Sequence, residues 1–254
     1  MPEFLSIADA QGARGLRLVM LRGVPSPWSE AAKGIFRAKN LPIAYASVAE
    51  GEAPDAIAQA FGDSSVPIVL HEDEPPRRGW AEILILAERL TDSVPLIPAG
   101  AQGRADLFGV AHEICGEMGL GWAYRLMLIG DPEAPDVPGG FPQPVRQFLA
   151  GKYGYNDVHA PVLERRVTST LRMLSDRLER SEFLVGDQLT AADIYWATFA
   201  NMFYPLPPEE MATNDMIRNA YTCTNPAVLD AISDRLRAHQ RRVYDEFLEL
   251  PVVL

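Results

Sequence analysis

Cysteine and positive charge are both scarce in this chain of 254 residues. Its two cysteines, Cys115 and Cys223, lie far apart and form no CxxC pair. Such sparse usage is typical of a reducing compartment, so no disulfide is expected. Lys and Arg number 23 against 34 Asp and Glu, which gives a formal net charge of −11. Nucleic acids and anionic membranes attract basic patches, so neither is expected as a partner.

Long apolar runs and several common site motifs are also missing. The mid-chain apolar run at 83–87 is far shorter than a membrane span. There is no GxSxG elbow, P-loop or GxGxxG, and the histidines lack metal-ligand spacing, so no metal is expected. The first 15 residues have neither a basic start nor a long apolar core, unlike a signal peptide. The sequence predicts a cytoplasmic protein.

The first part of the chain alternates short apolar runs with helical patterns. Apolar runs bounded by turn residues predict strands at 16–21, 43–48 and 66–70, with a further extended piece near 78–80. Apolar residues at helical spacing predict helices at 27–39, 53–62 and 81–90. Residues 1–15 show neither pattern and are expected to be a loose extension.

The rest of the chain has helical periodicity only. Two prolines within 92–100 indicate a linker between the two parts. Helices are predicted at 101–130, 144–152, 159–181, 190–203 and 225–248. We therefore expect a small α/β domain over residues 1–91 and an all-helical domain over residues 101–254.

The sequence GVPSPWSEAAKG (23–34) joins the first predicted strand to the first long helix. Ser26 precedes Pro27 at the first helical position, which is the arrangement of an ordinary helix cap. In the same place, a hydroxyl can donate a hydrogen bond to an anion held by the helix dipole and the free N–H groups. These residues alone leave both interpretations open.

Two other positions are equally ambiguous when taken singly. Pro67 opens the third predicted strand, where proline is common. A cis bond there would leave the backbone of Val66 free to pair with a peptide-like ligand. Glu82 lies in the first turn of the helix predicted at 81–90. It either complements the helix dipole or binds a ligand amino group.

The segment FLVGDQLTAADIYWATF (183–199) is a folding signal. Thr190 is expected to cap a helix, with Asp193 completing a capping box three residues later. Leu189 before the cap and Ile194 after it have the positions of a hydrophobic staple. This segment predicts a buried helix and carries no chemistry of its own.

Together these four features resemble the glutathione S-transferase superfamily, and most closely its serine-type bacterial members, with no specific class assigned. The VPSPW step, the SSVPIVL segment, Glu82 and FLVGDQLTAADI are similar to its motifs, and the similarity spans residues 16–245. The resemblance implies a thioredoxin-like N-terminal domain followed by a helical bundle. It also implies glutathione as co-substrate, and a homodimer with the helix at 81–90 near its interface.

The resemblance assigns roles to particular residues. Ser26 is implied to be catalytic, donating a hydrogen bond to the glutathione sulfur. Glutathione is implied to bind at Val66, Pro67, Glu82 and the backbone of Ile83. An electrophile pocket is implied in the helical domain, with these candidate wall residues: Trp28, Met118, Trp122 and Tyr124. The alternative for each is packing, in the core for Trp28 and in the core or at an interface for the other three.

Two positions depart from the family pattern. Ile83 stands where the family has a serine, and Ser65 stands where a basic residue is frequent, although Arg77 and Arg78 are near in sequence. The predicted reaction is attack of the glutathione thiolate on a hydrophobic electrophile. One alternative is a non-catalytic binding or scaffold protein, which Ile83 favours. The other is a glutathione-dependent reductase or peroxidase, for which the chain has no cysteine at 26 or 29.

Overall fold

The computed structural model describes residues 3–53, 55–136, 140–158 and 160–254. Up to Leu90 it has a three-stranded sheet with helices packed on it. The strands are β1 (Leu16–Val19), β2 (Ala44–Ala46) and β3 (Ile68–His71). The helices are α1 (Ile7–Gly12), α2 (Pro27–Ala38), α3 (Ala56–Phe61) and α4 (Trp80–Leu90).

The strand order β2-β1-β3 places β1 in the centre of the sheet. β1 is buried along its whole length and pairs with β2 in parallel and with β3 antiparallel. The register places Val19, the last residue of β1, opposite Ile68, the first residue of β3. The chain leaving β1 and the chain entering β3 therefore meet at one edge of the sheet.

The expected loose extension at 1–15 is wrong for the described part of that segment. Leu5 forms a bridge to β2, and α1 follows directly. The Ser6 hydroxyl caps α1 by accepting the N–H of Asp9 at 3.0 Å. Ile7 is buried in the core on one side of the sheet. The missed signal is the Ser-x-x-Asp spacing, which is typical of a helix start.

The fourth extended piece, expected near 78–80, is reduced to a single bridge at the edge of the sheet. Arg77 pairs antiparallel with Val69, and the two residues exchange backbone hydrogen bonds of 2.8 and 2.9 Å. The chain then turns at once into α4. This single bridge places the first turn of α4 next to β3.

After the linker the described chain is helical. The helices are α5 (Ala101–Cys115), α6 (Leu120–Ile129), α7 (Gln143–Tyr153), α8 (Ala160–Leu178), α9 (Ala191–Phe199), α10 (Asp215–Tyr221), α11 (Pro226–Ala231) and α12 (Asp234–Phe247). One turn of 3-10 helix, Ala200–Met202, continues α9. No helix in the described ranges is both long enough and apolar enough to cross a membrane.

Two segments predicted as single helices are each divided. The first breaks at 116–119, where a Cβ on Gly119 would lie 2.7 Å from the carbonyl oxygen of His112 and Met118 adopts φ +58°. The second, 225–248, breaks before Ser233, whose hydroxyl caps α12. The helix α10 was not predicted, and its N-cap residue, Asn214, is the signal that was missed.

The predicted capping box at 190–193 is confirmed and forms the centre of the helical part. α9 is buried along its whole length, and Asp193 accepts the N–H of Thr190 at 2.8 Å. On the other side of α9, a Cβ added to Gly34 would lie 2.7 Å from Ile194. The small residue in α2 thus lets the two helices approach closely and joins the sheet to the helical part.

Candidate functional site

Ser26 has the N-cap position of α2, but its side chain does not cap the helix. Its carbonyl accepts the N–H of Glu30 at 2.9 Å, whereas its hydroxyl makes no capping hydrogen bond. Within the described chain, the N–H groups of Trp28 and Ser29 also have no partner. A half-buried hydroxyl and two free N–H groups therefore lie together at a helix N-terminus, an arrangement that suits an anion.

Val66 and Pro67 lie at the same edge of the sheet as the loop that carries Ser26. The bond between them is cis, and Pro67 is buried at the entry to β3. Neither the N–H nor the carbonyl of Val66 bonds to another residue of the described ranges. These two backbone groups are free to pair with an extended ligand, as a strand pairs with its neighbour.

Glu82 is exposed in the first turn of α4 and binds the start of its own helix. Its Oε2 accepts the N–H of Gly79 at 3.1 Å and that of Arg78 at 3.2 Å. The N–H groups of Trp80, Ala81 and Glu82 find no acceptor in the described part of the chain. The helix start therefore combines three free donors with one carboxylate.

Ile83 is placed differently from the expectation. Its side chain is only 1% exposed and packs in the core, and its N–H donates to the carbonyl of Gly79 at 3.0 Å. The backbone of Ile83 is thus already bonded, and the free N–H groups lie at residues 80–82. The helix starts one residue earlier than predicted, at Trp80 and not at Ala81, so its free N–H groups end at Glu82.

Arg78 adds a cation near Val66, while Arg77 does not. The Arg78 guanidinium donates to the carbonyl of Phe61 and lies 3.7 Å from Asp63, in the turn that leads to Val66. Arg77 is instead held 2.7 Å from Glu74. Hydrogen bonds from Arg89 first, and then from His71 and Arg77, lower the pKa of Glu74 to about 2.

Trp28 fills the junction between the sheet and the helical part. Its Nε1 donates to the carbonyl of Cys115 at 2.9 Å. Its ring meets Phe199 edge-on, with 4.9 Å between centroids, and stacks with Tyr153 at 6.4 Å. Trp28 therefore packs against α5, α7 and α9 at once, two residues after Ser26.

An arginine lies within this aromatic group. The guanidinium of Arg125 lies 5.2 Å from the centroids of both Trp28 and Tyr153 and donates to the hydroxyls of Tyr153 and Tyr221, each at 3.2 Å. Trp122, one turn earlier on α6, meets Tyr153 edge-on at 4.9 Å. We call these five residues the Trp28 cluster: Trp28, Trp122, Arg125, Tyr153 and Tyr221. Sequence reasoning missed Arg125, Tyr153 and Tyr221, which belong to no motif.

The other two predicted wall residues lie elsewhere. Tyr124 is buried against Phe203, with 4.1 Å between ring centroids, and lines a separate pocket of about 280 Å³. Met118 lies in the turn between α5 and α6, where its carbonyl accepts the Nε of Arg166 at 3.0 Å. The structure thus brings together Trp28 and Trp122, and places Tyr124 outside the Trp28 cluster.

The first turns of α2 and α4 lie side by side. A cavity of about 10 Å³ between these two helices is lined by Trp28, Trp80, Cys115 and Tyr195. The Tyr195 hydroxyl donates to the carbonyl of Trp80 at 3.2 Å. Burial raises the pKa of the Cys115 thiol, which disfavours the reactive thiolate. No group of three or more metal-ligating side chains occurs in the ranges that the structure describes.

Known proteins resemble this chain in sequence over part of its length and in fold. Residues 148–218 match the family model for the C-terminal domain of glutathione S-transferase. A search of curated proteins gives no match. A glutathione S-transferase domain-containing protein from Marinobacter aquaeolei is 17% identical to this chain, with a TM-score of 0.60. The match covers 91% of this chain and 98% of that one.

Two ligand-bound structures are also similar. A rice enzyme in complex with glutathione is 18% identical, with a TM-score of 0.58 over 94% of this chain and 93% of that one. A Methylobacterium radiotolerans enzyme in complex with glutathione sulfonate is 16% identical, with a TM-score of 0.55 over 85% and 94%. The predicted fold, a thioredoxin-like domain followed by a helical bundle, is confirmed. This chain therefore has the fold of the glutathione S-transferases, and its residues 148–218 resemble their C-terminal domain.

Proposed function

We propose that this chain is a glutathione transferase that activates the glutathione thiol at Ser26. The observation that carries the proposal is the Ser26 hydroxyl, which makes no capping bond at the start of α2 and lies beside the free N–H groups of Trp28 and Ser29. A helix start of this kind stabilises a thiolate. The ligand-bound relatives carry glutathione or glutathione sulfonate, which supports the same ligand here.

Glutathione matches the polar groups along this edge. Its cysteinyl peptide unit would pair with the free backbone groups of Val66, beside Pro67. Its γ-glutamyl carboxylate would accept the free N–H groups at residues 80–82, and its ammonium would lie near Glu82. Its glycine carboxylate would lie on the side of Arg78. Each charged end of the tripeptide thereby meets an opposite charge or a set of donors.

The chemistry follows from the position of the sulfur at the helix start. A cysteine thiol has a reference pKa of about 8.5, which a helix N-terminus and a donated hydroxyl lower towards neutrality. The thiol proton leaves to solvent, and Ser26 keeps its own proton. The thiolate then forms a carbon–sulfur bond with the electrophile, and the electron pair of the broken bond leaves with the displaced group or stays on the adduct.

The Trp28 cluster would form one wall of the electrophile site. It adjoins Ser26 in sequence, and it presents aromatic surface from α2, α6 and α7. A hydrophobic electrophile gains free energy by covering such surface. We also propose a homodimer with α4 at the interface, as the resemblance implies, where Ile85 of this apolar helix is 46% exposed in the single chain. A cytoplasmic location is proposed from the sparse use of cysteine.

A non-catalytic glutathione-binding or scaffold protein is the second candidate. It is favoured by Ile83, which leaves the site without the family's serine hydroxyl, and whose N–H is already bonded. A reductase or peroxidase ranks below both, because the site holds serine at 26 and 29 where a protein sulfur would be needed. The pKa of the bound glutathione thiol distinguishes the transferase from the scaffold protein, because a scaffold has no need to lower the pKa of that thiol.

Replacing Ser26 by Ala should raise the pKa of the bound glutathione thiol by about 1, the loss of one hydrogen bond to a charged group. Affinity should change little, because the peptide and carboxylate contacts remain. The measurement is thiolate ultraviolet absorbance against pH at saturating glutathione. Ser29→Ala is the matched control, since its fully buried hydroxyl has no partner and should leave this pKa unchanged. An unchanged pKa in Ser26→Ala would remove Ser26 from the mechanism.

A further inference from the structure

Arg125 is a cation of the Trp28 cluster that no carboxylate of the described ranges neutralises. Its guanidinium donates to the hydroxyls of Tyr153 and Tyr221, each at 3.2 Å, and no Asp or Glu pairs with it there. Burial raises the pKa of Tyr221, so this hydroxyl is uncharged at neutral pH. Charges removed from water are normally paired with an opposite charge. The positive charge of Arg125 is therefore available to an anion from outside the chain.

The guanidinium also has an unused donor and accessible surface. Its two hydrogen bonds come from the Nη atoms, and its Nε makes none within the described ranges. The Nε of Arg146 is buried without a partner, whereas the Nε of Arg125 is not sealed off in this way. The Arg125 side chain is half-buried, as are those of Trp28 and Trp122. A ligand can therefore reach the cation and the aromatic rings from one surface.

This surface adjoins the loop that carries Ser26. The guanidinium lies 5.2 Å from the ring centroid of Trp28, which follows Ser26 by two residues. The hydroxyl of Thr213, just before α10, donates to the carbonyl of Gly23 at 3.2 Å and brings the helical part onto the same loop. Arg125 thus lies on the helical side of the proposed thiol site. It is separate from the groups assigned above to glutathione.

A second cation lies at the edge of the Trp28 cluster. Lys152 is exposed, and its Nζ lies 5.9 Å from the ring centroid of Tyr153. Lys152 acts on Asp63, whose pKa is lowered first by hydrogen bonding from Ser65 and then by Arg78 and Lys152. The chain as a whole has a net charge of −11. Two cations beside one ring form a local positive region, which attracts an anion to this place on an acidic protein.

We propose that Arg125 binds a carboxylate on the electrophile, so that this site takes an aromatic or other apolar electrophile with one negative charge. The proposal rests on the proposed glutathione transferase function. Nε and one Nη of a guanidinium form a planar pair of donors that matches a carboxylate, and such charge-assisted bonds are strong. The apolar body covers Trp28 and Trp122. The carboxylate takes no part in the bond formed at sulfur, and Arg125 fixes which end of the electrophile faces the thiolate.

Titration calorimetry with 1-naphthoate and 1-naphthamide tests the binding step. The two probes share one ring system and differ in charge. At saturating glutathione, 1-naphthoate should bind saturably and about tenfold more tightly, the effect of one hydrogen bond to a charged group. If the chain does not bind glutathione, the proposed function fails, and the same comparison without glutathione still tests Arg125.

Arg125→Met removes the charge and keeps an unbranched side chain. It should weaken 1-naphthoate binding by about tenfold and 1-naphthamide binding by less than about threefold. Arg125→Lys retains the charge without the planar pair of donors and should fall between these variants. Arg104→Met is the matched control, because Arg104 also lies over a ring, 5.2 Å from the centroid of Phe108, near the other end of α5 from Cys115. It should leave both affinities unchanged, with thermal melting as the check that each variant is folded.

Equal binding of the two probes by the natural chain would overturn the proposal and reduce Arg125 to a link between α6, α7 and α10. So would an Arg125→Met variant that binds 1-naphthoate as tightly as the natural chain. Loss of 1-naphthoate binding at saturating glutathione would also overturn it, because Arg125 would then hold a carboxylate of glutathione itself.

Discussion

Asp193→Ala should lower the free energy of unfolding by about 3–5 kcal/mol, the cost of removing one member of a buried charged network. Asp193 is fully buried, and its Oδ1 accepts the N–H of Leu184 at 2.8 Å and lies 3.0 Å from Nε2 of His239. Its Oδ2 accepts the N–H and hydroxyl of Thr190 at 2.8 and 2.9 Å. Alanine would leave all of these groups without an acceptor in the core.

Chemical denaturation of variants at two aspartates of this segment, Asp193 and Asp187, measures the change in the free energy of unfolding. Asp187 is exposed six residues earlier, so Asp187→Ala should change the free energy of unfolding by no more than about 0.5 kcal/mol. Asp193→Asn retains an acceptor oxygen and should fall between the two. If Asp193→Ala cost less than about 1 kcal/mol, the network would not be the centre of the helical part.

Trp28→Ala should lower the free energy of unfolding by about 3 kcal/mol, the lower end of the range for removing a tryptophan from a core. The indole packs against Phe199 and Tyr153, and its Nε1 hydrogen bond to Cys115 joins α2 to α5. The substitution would leave a cavity at the junction and take away one aromatic face from Arg125. The sheet and the helical part would then be less firmly attached.

Trp28→Phe is the matched control for this prediction. It keeps most of the ring contact but loses the Nε1 hydrogen bond. The lost hydrogen bond should lower the free energy of unfolding by about 1 kcal/mol, in addition to any effect of the changed packing. Denaturation followed separately by near-ultraviolet and far-ultraviolet circular dichroism would measure both variants. Equal costs for Ala and Phe would show that Trp28 contributes only its hydrogen bond, contrary to the packing described above.

The elements that the sequence predicts well are those with local signals. Thr190 and Asp193 form a capping box by spacing alone, and the apolar run at 16–21 contains the central strand. The breaks at 116–119 and before Ser233 were missed because the apolar pattern continues across both. A close backbone approach divides the first segment and a hydroxyl cap divides the second, and periodicity does not report either.

The parts of the candidate site that belong to sequence motifs could be predicted, and the parts outside any motif could not. The register of β1 and β3 brings Val66 and the Ser26 loop to one edge, as a motif-based alignment expects. The start of α4 lies one residue earlier than predicted, so the free N–H groups are those of residues 80–82 and not that of Ile83. Arg125 and Tyr153 come from helices without motifs, and only the packing of α6 and α7 brings them to Trp28.

The central proposal, that this chain binds glutathione along the edge between Val66 and the start of α4, is tested most directly by titration calorimetry with glutathione. We expect saturable binding at one site per chain, with a dissociation constant within the range of typical Michaelis constants, about 1 µM to 1 mM. Cysteinylglycine lacks the γ-glutamyl group that the N–H groups of residues 80–82 would hold, and it should bind more weakly. Absence of saturable binding at glutathione concentrations about tenfold above that range would contradict the account.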